Sequence, residues 1–169
     1  MITRLEKLYL VLKELGLKEQ GNLNNFTVIQ KTMYILSRMG LDLLYQFRWY
    51  SHGPYCPELS DDLFDNYKYD GPDTLKTSPL AIITLFKMLF EDRYTDKLWL
   101  QIIASILFME ENGNDENYLN SLKIEHPDKV IEGRAFVLKN FKYLTNNCEE
   151  GDISGKQIQG IERNVRCNK

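Results

Sequence analysis

Leu5, Leu8, Leu12 and Leu15 recur at spacings of three and four, and this stripe predicts an amphipathic helix over residues 3–15. Thr3 and Glu6 have the spacing of a capping box, and Gly16 supplies a stop. Gly21 and its neighbouring asparagines mark a loop. A second helix is predicted from Thr27, with Ile29, Met33 and Leu36 inward and Gly40 at its end. The aromatic run Leu43–Tyr50, bounded by Gly53-Pro54, predicts a strand. Pro57 suits the first position of a third helix, and Glu58 suits the positive end of its dipole. Leu59, Leu63 and Tyr67 would be its buried side, with Asp61, Asp62 and Asp65 facing out.

Tyr67 to Lys76 contains Asp70-Gly71-Pro72-Asp73, a turn and the candidate wing. Ser78 as cap and Pro79 at the first position predict a helix to Phe90. Asp96 opens a helix with Leu98, Ile102, Ile106 and Met109 on one side, apolar on nearly every turn and hence central. Asn112-Gly113-Asn114 closes it, and a short helix is expected over 115–122. His126-Pro127-Asp128 opens a last helix, read with Ile131, Ala135, Leu138 and Phe141 facing inward. The pattern adds up to a mainly α fold with minor β. It predicts a compact domain of six or seven helices and one short β element, with a winged-helix flavour, over residues 1–145. From about Asn146 the apolar residues become isolated, so 146–169 reads as a mobile or peripherally docked tail.

The composition is 43% hydrophobic and 27% charged, an ordinary globular balance, and ten tyrosines predict a core rich in rings with polar handles. A net charge of −3 argues against a broad electrostatic grip on nucleic acid and leaves a local one open. Cys56, Cys148 and Cys167 form no CxxC and no Cys/His cluster, so reduced thiols are expected and neither a disulfide frame nor a zinc site. With no leader pattern and no apolar run near the roughly 18 residues of a membrane span, the reading is cytoplasmic, with no metal and no cofactor.

The densest chemistry lies around Trp49, Tyr50, His52, Gly53, Pro54, Tyr55, Cys56, Pro57 and Glu58. Rings packed around a glycine predict a buried turn, whose main-chain groups need internal partners. Gln30, Lys31 and Tyr34 lie within one helical turn and share a side; amide, ammonium and phenol together can hold such a turn. The alternative is that some of them stay free for a ligand or partner. His52 and Cys56, four apart with Glu58 and Asp61 nearby, would serve an enzyme only with a low-pKa thiol beside a base, and no known catalytic signature has this spacing. Arg4, Lys7, Lys13, Lys18, Lys31 and Arg38 are spread among acids, and Arg134, Lys139 and Lys142 on the last helix are the other candidate nucleic-acid contacts.

Ile29-Gln30-Lys31-Thr32-Met33-Tyr34, then Trp49, then Gly53-Pro54-Tyr55-Cys56-Pro57-Glu58-Leu59 resembles the pattern of the Panacea (SocA-like) antitoxin domain, and more closely that of YwgA-like proteins. Leu100-Gln101-Ile102-Ile103-Ala104-Ser105-Ile106 is similar to a later leucine-rich helix of the YwgA-like group. The likeness runs in order over about residues 1–145 and is strongest over 28–63. Val28 and Thr32 depart from the Panacea pattern, which has lysine and an apolar residue there. The resemblance implies a non-enzymatic helical module that neutralises a toxin or acts as an adaptor by binding a protein, with the turn and its three helical partners as the binding motif. The alternative is a winged-helix transcriptional regulator; a homodimer is compatible with either.

Overall fold

A computed structural model describes residues 3–17, 23–64, 75–113 and 116–145. The chain order is α1 (Arg4–Glu14), α2 (Leu23–Arg38), β1 (Arg48–Tyr50), β2 (Gly53–Tyr55), α3 (Pro57–Phe64), α4 (Thr77–Phe90), α5 (Lys97–Asn112), α6 (Glu116–Glu125) and α7 (Pro127–Thr145). The protein is mainly α with one small antiparallel hairpin. The tail, the candidate wing, Asp65 and Tyr67 lie outside the described residues.

The capping box of α1 is made as expected, Thr3 and Glu6 exchanging hydrogen bonds. Gly16, at φ 70°, lets Leu17 N–H turn back to Leu12 O at 2.8 Å. Gly40 ends α2 in the same way, at φ 98°. Helix α2 starts at Leu23, before the expected Thr27. Asn24 and Asn25 are poor helix interior residues, but a first turn needs no intrahelical acceptor for its N–H groups. Phe26 fixes that turn by stacking on Phe64 with ring centroids 4.7 Å apart. Similarly, Ser78 does not cap α4: the cap is Lys76, in extended conformation, and Pro79 is the third helical residue. Proline is as harmless there as at the first position, because that N–H is an orphan anyway.

The expected strand Leu43–Tyr50 is shorter than its pattern. Burial does alternate along 41–50, but only Arg48–Tyr50 is hydrogen-bonded as a strand. Leu44 takes φ 59° and its N–H bonds to Asp42 Oδ1, which breaks the extended run. The pairing is Arg48 with Tyr55, Trp49 with Pro54 and Tyr50 with Gly53, so the residues read as a breaker form the second strand.

Helix α5 is central, with Leu100, Ile102, Ile103, Ala104, Ile106 and Leu107 all buried, and α2 and α7 pack on it. The inward face of α7 differs from the expectation. Phe141 is buried, but Ile131 and Leu138 are 62% and 68% exposed and Ala135 is exposed. Val130, Gly133 and Val137 face α5 instead, and a Cβ on Gly133 would stand 2.6 Å from Ile102 Cγ2. Among the described residues, no helix is long and apolar enough to cross a membrane.

Candidate functional site

The hairpin lies between α2 and α5, and each helix touches β2. The ladder ends at Tyr55, so the main chain of Cys56 must be satisfied from elsewhere. Gln30, buried, supplies both partners: its Nε2 donates to Cys56 O at 2.8 Å, and its Oε1 accepts from Cys56 N–H at 3.0 Å. Nε2 also donates to Ser60 Oγ at 2.9 Å, and Ser60 Oγ lies 2.7 Å from Tyr55 Oη. Lys31 Nζ donates to Pro54 O at 2.7 Å. Lys31 is only 3% exposed, and burial pushes its pKa down to about 7.

Tyr34 does not join this clasp. Its hydroxyl donates to Glu111 Oε2 at 3.2 Å, while its ring meets Phe47 and Phe108. The residue sits one helical turn, about 5 Å, beyond Gln30, and there α2 faces the C-terminal end of α5 rather than the hairpin. Glu111 also pairs with Arg38. Burial raises the carboxyl of Glu111 against the pull of that arginine, and raises the Tyr34 phenol too.

Gly53 is buried at φ 90°, and a Cβ there would be 2.5 Å from Ser105 Oγ and 3.5 Å from Lys31 Nζ. Only glycine combines that backbone with that proximity. Trp49 is half-buried against Phe108 and Tyr118, and the Tyr50 and Tyr55 rings meet at 5.1 Å. Pro54 is buried, while Pro57 is exposed at the first position of α3.

His52 and Cys56 are not brought together as a base and thiol. His52 is exposed, edge-on to Tyr118 and bonded to Ser51. The buried Cys56 thiol donates to Glu58 Oε2 at 3.2 Å. Burial raises the thiol pKa, and Glu58 is held low by its own backbone N–H and by that thiol. The acidic face of α3 also needs correction. Asp61 is exposed as expected, but Asp62 turns inward, accepting from Arg4 Nε at 2.8 Å and from Tyr45 Oη at 2.7 Å.

Most of the candidate phosphate contacts on the first two helices are committed within the chain. Arg4 holds Asp62, Lys7 donates to Asp42 O, Lys31 holds the hairpin and Arg38 holds Glu111. Arg134, Lys139 and Lys142 are exposed on α7, and Arg134 and Lys142 already interact within the chain.

Beside the hairpin opens a cleft of about 460 Å³. Gln30, Lys31 and Gly53 line its inner side, Phe26, Tyr50 and Tyr55 give it aromatic walls, and Lys97 and Gln101 of α5 form the opposite lip. A second cleft, about 490 Å³, lies between Trp49, Tyr50, Ser51 and the Asn117–Ser121 face of α6. Phe26, Thr27, Ser51, Lys97 and Gln101 also line the first cleft and carry no signal in the sequence that marks them as site residues. Lys97 and Gln101 stand four apart, the one signal that they share a helix face. Among the described residues, no group of three or more His, Cys, Asp or Glu is placed to hold a metal ion. No family model, curated protein or solved structure matches the chain.

Proposed function

We propose that this chain is a non-enzymatic, cytoplasmic interaction module of the antitoxin or adaptor type, which binds a partner protein at the hairpin cleft. The observation behind this reading is a preformed, aromatic-lipped cleft on a rigid frame. Tyr50 is 45% exposed and Phe64, stacked on Phe26, is 69% exposed, while the hairpin beneath is fixed through buried Gln30 and Lys31. Exposed rings around an ordered concavity are where interface energy concentrates. The order of motifs resembling a Panacea-type domain supports the same reading. Affinity purification of the full chain from its native host tests it. A partner in stoichiometric ratio, lost on Tyr50→Ala, is the expected result; recovery of the chain alone counts against it.

The exposed Arg134, Lys139 and Lys142 on α7 favour a second reading, a nucleic-acid-binding regulator. That reading requires affinity at low salt which falls steeply as salt rises. Fluorescence anisotropy with duplex DNA, showing no binding at low salt, removes it.

A further inference from the structure

We infer that the hairpin cleft reads a carboxylate: the partner presents a negatively charged carboxyl group to Lys31 and lays apolar neighbours against Phe26 and Tyr50. This rests on the interaction-module reading and names the chemistry of the bound segment. The charge of the lining is one-sided. Among the described residues it includes Lys31 and Lys97 and no Asp or Glu. Arg4 and Arg38 have carboxylate partners, Asp62 and Glu111. Lys31 does not: among the described residues its ammonium has one acceptor, the Pro54 carbonyl, although an ammonium carries three donors. Burial lowers the proton affinity of that amine. A carboxylate entering the cleft supplies the missing counter-charge and restores the proton. Gln101, on the face shared with Lys97, offers an amide to the second carboxyl oxygen.

The carboxylate comes from an Asp or Glu side chain or from a chain terminus, and one experiment separates them. Short peptides from a random displayed library are selected on the full chain. The best binder is then remade with each Asp or Glu changed to Asn or Gln, and separately with an amidated C-terminus. Affinity is measured by titration, and the site is mapped by backbone amide shifts. The expected result is a footprint at Lys31, Tyr50 and Gly53, and about a tenfold or greater loss from one of those changes, as for a charge-assisted hydrogen bond. Loss on Glu→Gln or Asp→Asn assigns a side chain; loss on amidation assigns a terminus. Lys97→Gln, at an exposed position, should weaken the parent peptide and leave the neutral one unchanged. Equal affinity for charged and neutral peptides at the cleft overturns the carboxylate inference and leaves the interaction reading standing, as does selection of basic peptides. Failure to select any peptide at the cleft overturns both.

Discussion

Gln30 does at one position what a third strand would otherwise do. Its amide closes both main-chain groups of Cys56, 26 residues away, in a buried setting. Gln30→Ala should therefore cost about 1–3 kcal/mol, because the Cys56 N–H is stranded while Cys56 O keeps only its 3.4 Å bond from Ser60 N–H. Gln30→Glu should also destabilise, since a carboxylate accepts from Cys56 N–H and cannot donate to Cys56 O. Urea denaturation at fixed pH measures both. Lys31 gives a pH signature. Folded, it loses its proton near pH 7, whereas unfolded it keeps it up to the ordinary value of 10.5. Between those values the unfolded chain binds more protons, so stability rises with pH. The stability gap between wild type and Lys31→Met should shift by a few kcal/mol in favour of wild type from pH 7 to 10, with no such trend below pH 6. Denaturation midpoints across that range check it. The sequence pointed to these two residues because a buried turn must find donors and the second helix offered them. Tyr34 misled because i, i+4 spacing gives a common side without giving the partner one helical turn further on.

At the scale of elements, α7 shows what periodicity leaves undecided. Ile131, Ala135, Leu138 and Phe141 form one helical stripe; Val130, Gly133 and Val137 form a neighbouring one, and both run on to Phe141. A glycine scores as no hydrophobe, yet a side chain at Gly133 would collide with Ile102 of α5. Gly133→Val should force the helices apart and cost about 2 kcal/mol or more, while Leu138→Ser should stay within about 0.5 kcal/mol of wild type. Thermal melts of the two variants compare the stripes directly; a reversed order would show that Leu138, not Gly133, faces the core. The existence of every described helix was legible from stripes, caps and stops. The hairpin was not, because its strands are three residues each and its return strand is written Gly53-Pro54-Tyr55, a sequence that otherwise signals a break. The cleft was legible only on its α2 side. Its α5 lip comes from residues more than forty positions away, joined by a fold that no local pattern encodes.

Over the whole molecule, the hairpin is an appendage made rigid by its neighbours. A two-stranded sheet of this size is marginal alone, and here α2 and α5 hold it from both sides. Exposed rings can then be presented without strain on the core. Tyr50→Ala should lower affinity for a cleft-bound partner by about 2 kcal/mol while changing stability by about 1 kcal/mol or less, as judged by calorimetric titration and melting temperature. An equal loss of both would mean that the ring supports the hairpin rather than the interface.

The chain has two tryptophans, and the fold gives them different surroundings. Trp99 is sealed in the core with the Arg93 guanidinium 3.9 Å above its ring, whereas Trp49 borders the α6 side of the hairpin. They are built-in optical reporters of separate events. Collisional quenching reaches Trp49 first and senses what covers the hairpin, and Trp99 emission stays blue until the whole domain opens. With Trp49→Phe or Trp99→Phe, each signal can be followed in isolation, without any attached dye.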